Sequence, residues 1–167
     1  ASVERFSPRA LDAVAEGLAA RARVPLVATR GAAPDSRLAE EDGMVIQSAA
    51  PVLDAAGAQV GVLEGGVLLN GNLEFVDRLN AIVYREGSLP LDSQGTATLF
   101  LGDTRIATNV RLFEGVRALG TRVSQVVRDK VLGAGETWLG TAFVVNENYV
   151  SGYEPIIDGA GERIGML

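Results

Sequence analysis

The sequence predicts an α+β domain built on antiparallel sheet, and three observations carry that prediction. Short apolar, β-branched runs punctuated by Gly, Asp and Asn recur through the second half of the chain. Helix-period apolar stripes precede them and fall between them. One hairpin signature occurs twice, as "APVLDAAGAQVGVL" at 50–63 and "EPIIDGAGERIGML" at 154–167.

Overlaid without a gap, the two copies share Pro51/Pro155, Asp54/Asp158, Ala56/Ala160, Gly57/Gly161, Gly61/Gly165 and Leu63/Leu167, with Val52/Ile156, Leu53/Ile157 and Val60/Ile164 as conservative pairs. Average residue usage gives roughly one identity by chance. Each copy is an apolar run, an Asp-to-Gly turn and a second apolar run, the pattern of two strands closed by a tight loop. An Asp side chain can bond its own turn backbone and Gly can take positive φ, so Asp54 and Asp158 read as turn residues, not as catalytic acids.

Taken in order, Ser7 is a plausible N-cap with Pro8 in the first turn of a helix running to about Arg23, its face marked by Leu11, Val14, Ala15 and Leu18. An irregular stretch rich in Pro, Gly and charge follows. Met44 to Ala50 reads as a strand entering the first hairpin. Asn72 caps a second helix in which Leu73, Val76, Leu79, Ile82 and Val83 form a stripe, ending near Glu86-Gly87. That stripe packs on its own core or forms a dimer seam. "TATLFLGDTRIATNV" is a strand, a turn at Gly102-Asp103 and a returning strand. From Thr121 the spacing of Val123, Val126, Val127 and Val131 predicts a helix capped by Gly133, and three more strands complete the chain.

Composition excludes several chemistries. The chain has 167 residues with a net charge of −6, no His and no Cys. It therefore has no disulfide frame, no thiolate nucleophile, no His-dependent triad and no Cys/His zinc site. Its acidity argues against sequence-independent nucleic-acid binding. No stretch is apolar enough for a membrane span, and no signal pattern opens the chain. Gly159, Gly161 and Gly165 are spaced one residue too long for a dinucleotide fingerprint and precede a strand, not a helix. The adjacent carboxylates Glu40-Glu41-Asp42 read as solvated, so no cofactor or metal is expected.

Four stretches, "GTATLFLGDTRIATNV", "VRALGTRVSQVV", "WLGTAFVVNENYVSGYEPIID" and "GERIGML", resemble the Cache sensor domains, specifically the tandem type of bacterial histidine kinases and chemoreceptors. The upstream "GMVIQSAAPVLDAAGAQVGVLEGGVLLNGNLEFVD" resembles the end of a membrane-distal unit and its connecting helix. The resemblance implies a PAS-like fold: N-terminal helices, a five-stranded antiparallel sheet in the C-terminal unit, and a partial first unit. Residues 1–71 would be an incomplete distal unit, 72–94 a connecting helix and loop, and 95–167 a membrane-proximal unit. It further implies a non-enzymatic periplasmic module of a membrane-embedded receptor, a histidine kinase ahead of a chemoreceptor, forming a homodimer through helices. A ligand-free structural or dimerisation module is the rival reading.

A sensor needs a concave pocket with a few fixed polar groups. Arg105, directly after the Gly102-Asp103 turn, is the leading candidate, because a guanidinium fork takes a carboxylate bidentately and so suits a small organic acid. Its alternative is solvent or a salt bridge to Asp103. Thr108 and Asn109 point to opposite faces of the strand, so one of them can share a given pocket; an Asn at a strand end, as at Asn109, is more often a turn former. Trp138, Phe143, Tyr149 and Tyr153 concentrate scarce aromatic content, with Phe143 read as core and the tyrosines as core or pocket wall. Arg117 and Arg122 flank "ALGT", which the resemblance places over the sheet as a lid. Either could supply the cation or lie solvated.

Overall fold

The computed structural model describes residues 1–85, 87–89, 95–112, 115–144 and 147–167, with the backbone alone at 143, 144 and 147–149. The chain opens on a strand the sequence did not announce, β1 (Ser2–Phe6). The single helix expected from Pro8 to Arg23 is two short ones, α1 (Pro8–Val14) and α2 (Leu18–Ala22). Ser7 caps the first by accepting from the Ala10 amide at 3.3 Å. The break falls where Gly17 adopts φ 80° and Asp12 Oδ1 accepts from the Ala19 amide at 2.9 Å, starting a new helix instead of continuing the old one.

Two minimal strands, β2 (Val24–Pro25) and β3 (Ala39–Glu40), pair with each other and bracket a strap over residues 26–38. Strand β4 (Gly43–Leu53) pairs with β1 on one side and with β5 (Gln59–Leu68) on the other, giving a three-stranded sheet in the order β1-β4-β5. Asn72 caps α3 (Leu73–Val83) by accepting from the Phe75 amide at 3.1 Å. Val76 is buried in the core, while Ile82 and Val83 are exposed, and the helix stops at Val83, short of Gly87.

Beyond it β6 (Thr98–Leu101) and β7 (Thr104–Thr108) form the expected hairpin around Gly102-Asp103. Residues 121–123 are extended, not helical. The Arg105 amide donates to the Thr121 carbonyl and the Val123 amide to the Asp103 carbonyl, tying this segment along the outer edge of β7. Helix α4 (Gln125–Arg128) starts only at the Ser124 cap and runs into a π-helical turn, Asp129–Ala134, ended by Gly135 at φ 75°.

The last four strands are β8 (Trp138–Val144), β9 (Glu147–Tyr153), β10 (Pro155–Ile157) and β11 (Arg163–Met166). They do not complete one five-stranded sheet. A four-stranded sheet has the order β10-β11-β6-β7, and β8-β9 is a separate two-stranded ribbon. The break is at Glu154, which exchanges both backbone bonds with Leu167, after which Pro155 has no amide hydrogen to extend the ladder.

Both faces of the four-stranded sheet are covered, each by its own cluster of buried residues. Leu99, Leu101, Ile106 and Ile164 pack with Met44, Leu69 and Val76. Phe100 and Met166 pack with Val123, Val127, Val131 and Tyr153 on the other side. Among the described residues no helix is long and apolar enough to cross a membrane.

The repeated signature folds twice into one turn. Asp54 Oδ1 accepts from the Ala56 and Ala58 amides, both at 2.9 Å, and Asp158 Oδ1 accepts from Ala160 and Glu162 at 2.9 and 2.8 Å. Gly57 and Gly161 stand at φ 82° and 87°. Even the ladder irregularity before the turn recurs, at Val52/Leu53 and at Ile156/Ile157.

Candidate ligand pocket

A cavity of about 590 Å³ lies between the strap, β7, the segment 121–127 and the β8-β9 ribbon. Its polar groups come from Thr29, Arg30, Arg105, Thr121, Ser124, Thr141 and Tyr153, and its apolar wall includes Val126, Val127 and Trp138. Among the described residues lining it there are two arginines and no Asp or Glu.

Arg105 is buried, and the turn before β7 explains why: the hairpin places its side chain between the sheet and the extended segment 121–123. Nη1 donates to Thr121 Oγ1 at 2.6 Å, and Thr121 in turn donates to the Ala118 carbonyl at 2.8 Å. The guanidinium lies 5.1 Å from the Phe100 ring centroid, a cation–π contact. Nε has no hydrogen-bond partner among the described residues. Burial holds its pKa down to about 10, partly offset by Tyr153. Burial also pushes the Tyr153 phenol up, against the opposing pull of Arg105 and a hydrogen bond with Ser151. Trp138 meets the Tyr153 ring edge-on at 5.7 Å, and Phe100 tilts against the same ring at 6.0 Å.

Arg105 does not pair with Asp103, because Asp103 serves another partner. Arg122 binds it through Nε and Nη2 at 3.2 and 2.6 Å. Arg122 also donates to the Ala33 carbonyl at 2.7 Å and lies 3.4 Å from Asp35, so it fastens the strap to the sheet. Asp35 is itself held down to about 2 by hydrogen bonds from the side chain and backbone of Arg37. The strap is further tied by Val27 N to the Gly120 carbonyl at 2.9 Å, Arg122 N to Thr29 Oγ1 at 3.0 Å, and Gln125 N to the Gly31 carbonyl at 2.8 Å. Gly120, at φ 76°, is required by this approach, since a Cβ there would overlap the Pro25 carbonyl oxygen.

Of the residues singled out from sequence, Arg105, Trp138 and Tyr153 meet at this cavity. Thr108 lies away from it, fully buried, with Oγ1 2.6 Å from Thr98 Oγ1 and accepting from the Val110 amide at 3.0 Å. Asn109 staples the entry to β6, accepting from Ala97 N at 2.8 Å and donating to the Gly95 carbonyl at 3.1 Å. Arg117 forks onto Asp77 of α3 at 2.8 and 2.7 Å. The side chains of Phe143 and Tyr149 lie outside the described residues. The sequence did not single out Thr121, Ser124, Thr141 or the strap residues Thr29 and Arg30, whose placement depends on distant contacts.

A second cavity, of about 550 Å³, toward the end of α3, is also lined by Arg105 and Tyr153, but its lining includes Glu154. A cation-lined site without acids suits an anion, and the first cavity is therefore the candidate. Among the described residues no group of three carboxylates, His or Cys is placed to hold a metal ion.

The family model described as single Cache domain 3 matches residues 67–167. The chain belongs to this family. Cache domains are extracellular ligand-sensing modules, generally non-catalytic. The match is to a single Cache unit and takes in α3, the four-stranded sheet, the ribbon and most of the cavity wall. The strap, which closes the cavity from the other side, precedes the matched residues. No curated protein and no solved structure matches the chain.

Proposed function

We propose that this Cache domain binds a small organic anion, a carboxylate first of all, in the cavity lined by Arg105. One observation carries the reading: a buried guanidinium, with no carboxylate partner among the described residues, stands at the wall of a cavity whose described lining holds no acid. A desolvated cation without a counter-ion is costly, and an anionic ligand relieves that cost with charge-assisted hydrogen bonds. Thr121, Thr141 and Tyr153 offer further polar contacts, and Trp138, Val126 and Val127 can cover methylene groups.

The strap and the Cache unit both wall the cavity, so a ligand with unequal affinity for two strap positions shifts the balance between them. The module would serve a periplasmic, membrane-anchored receptor, a sensor histidine kinase ahead of a chemotaxis receptor. The family's extracellular placement supports the location. The β1-β4-β5 sheet, which ends in the first copy of the repeated hairpin, supports reading residues 1–71 as the remnant of a second, distal unit joined through 72–94 to the unit over 95–167.

A thermal-shift screen of small mono- and dicarboxylates, with the matching uncharged amides and sugars as controls, tests this. A carboxylate at about 100 times its Kd adds about 2.7 kcal/mol, a rise of several degrees that Arg105→Gln removes. Flat curves for every anion, or a shift by uncharged controls alone, would sink the proposal.

A further inference from the structure

The strap brings a second cation to the cavity. Arg30 is one of the lining residues and is exposed on the strap side, while Arg105 is buried on the Cache side. The Arg30 guanidinium makes no hydrogen bond or ion pair with another described residue. The one acid within the strap, Asp35, is engaged by Arg37, which donates to it through Nε and Nη2 at 2.9 and 2.8 Å.

Although its side chain is exposed, the backbone on either side of Arg30 is pinned. Before it, Thr29 Oγ1 accepts from the Arg122 amide at 3.0 Å and donates to the Val27 carbonyl at 2.8 Å. After it, the Gly31 carbonyl accepts from the Gln125 amide at 2.8 Å. Arg105 is tied to the same short segment, by its amide to the Thr121 carbonyl and by Nη1 to Thr121 Oγ1. Residues 121–125 are therefore a common rail on which both arginines are mounted. Four residues of chain span at most roughly 14 Å, so the anchors of the two side chains lie no farther apart than that. Two groups of arginine length mounted so closely can grip the two ends of one short molecule.

We infer that Arg30 is a specificity-determining residue of this site, holding the second carboxylate of a short diacid whose first carboxylate sits on Arg105. The inference rests on the anion reading of the cavity and narrows it. Trp138, Val126 and Val127 supply the apolar wall that methylenes between the two charged ends require, in a cavity of about 590 Å³. A monoanion satisfies Arg105 alone, whereas a diacid also gains charge-assisted hydrogen bonds to the strap. Arg30 is in water and its pairing is screened, so its share is about tenfold in affinity. The family match begins at residue 67, so this contact comes from outside the matched residues.

Calorimetric titration of the intact chain with unbranched diacids from malonate to adipate, each beside its own monoamide, tests this. The monoamide keeps the length and one carboxylate and replaces the other charge by a neutral amide. At the best-fitting length the parent should bind the diacid about tenfold tighter than the monoamide. Arg30→Gln should remove that preference while leaving the monoamide's affinity and the Tm of the free protein unchanged. Arg105→Gln should abolish binding of both. A monoamide that binds the parent as tightly as its diacid, or a preference that survives Arg30→Gln, would overturn the second contact and leave the anion reading standing. No binding of any diacid or monoamide would overturn both.

Discussion

Arg105 Nη1 donates to Thr121 Oγ1 at 2.6 Å, and through that hydroxyl the buried guanidinium is joined to a neutral carbonyl, that of Ala118. Its nearest strand neighbour with a carboxylate, Asp103, is engaged by Arg122. The Arg105 cation is therefore held in the interior against hydroxyl and ring, while the buried Asp103 carboxylate fastens the strap through Arg122.

Replacing that cation by an apolar chain of similar length should stabilise the free protein while abolishing its response to anions. Arg105→Met removes an unneutralised buried charge and keeps most of the volume. We expect about 1 kcal/mol more stability in urea unfolding, and no thermal shift with any carboxylate that acts on the parent. A destabilisation beyond about 2 kcal/mol would mean that the Thr121 bond and the Phe100 contact outweigh the desolvation, and that the arginine is structural.

The twin turns separate local from global stability. Asp158→Ala deletes two bonds in the turn that closes the four-stranded sheet and should cost about 1–2 kcal/mol. Asp54→Ala deletes the same two bonds at the tip of an exposed arm. Such a tip frays without unfolding the core, so the global midpoint should barely move, while amide exchange at 52–60 speeds up. Equal losses of global stability in the two variants would show that the arm belongs to the main cooperative unit.

These turns were legible because their physics is local: an Asp, a Gly three residues on, and a run on each side. The Asn72 cap and the Gly102-Asp103 turn were legible for the same reason. Arg105 was found because the turn placed it at the start of a strand, yet its surroundings were not readable, since Thr121 comes to it from another segment. The strap was wholly hidden. Its bonds join Thr29 to Arg122 and Ala33 to Arg122, close to ninety residues apart in the chain, and no periodicity encodes that. The helix expected from Thr121 begins only at Gln125, because the residues before it are held extended by distant partners: the Thr121 carbonyl accepts from the Arg105 amide, the Arg122 amide donates to Thr29 Oγ1 and the Val123 amide to the Asp103 carbonyl.

Gly120 carries the strap's closest approach. Gly120→Ala asks a residue at φ 76° to accept a Cβ that overlaps the Pro25 carbonyl, and the Val27 amide bond to the Gly120 carbonyl resists any retreat. We expect a loss of about 2–4 kcal/mol, combining left-handed strain and displaced packing. Anion affinity should fall with it, because residues 27–31 wall the cavity. Unchanged affinity in a folded variant would show that the strap is dispensable for binding.

Acid should loosen the strap in a defined window. Asp35, held down to about 2 from its ordinary 3.8 by the Arg37 hydrogen bonds, contributes stability that is present above pH 3.8 and lost as pH falls through about 2. The site is open to solvent, so the contribution is small. Asp35→Asn should therefore flatten only the acid end of a Tm-against-pH curve; a difference centred near neutrality would assign the effect elsewhere.

The Asp103–Arg122 pair is the decisive test of how the strap is held. Their side chains are 4% and 10% exposed, and Arg37 and Arg128 approach the same carboxylate at 3.7 and 3.5 Å. Asp103→Ala removes the closer carboxylate of buried Arg122, leaving it Asp35 at 3.4 Å, and should cost about 3 kcal/mol, with Arg122→Ala similar. Asp103→Ala/Arg122→Ala should cost less than the two added together, giving a coupling of about 1–3 kcal/mol in a double-mutant cycle. Additive losses would mean that the carboxylate is satisfied equally by Arg37 and Arg128. In that case the strap would stay closed without Arg122, and anion binding in Arg122→Ala would match the parent.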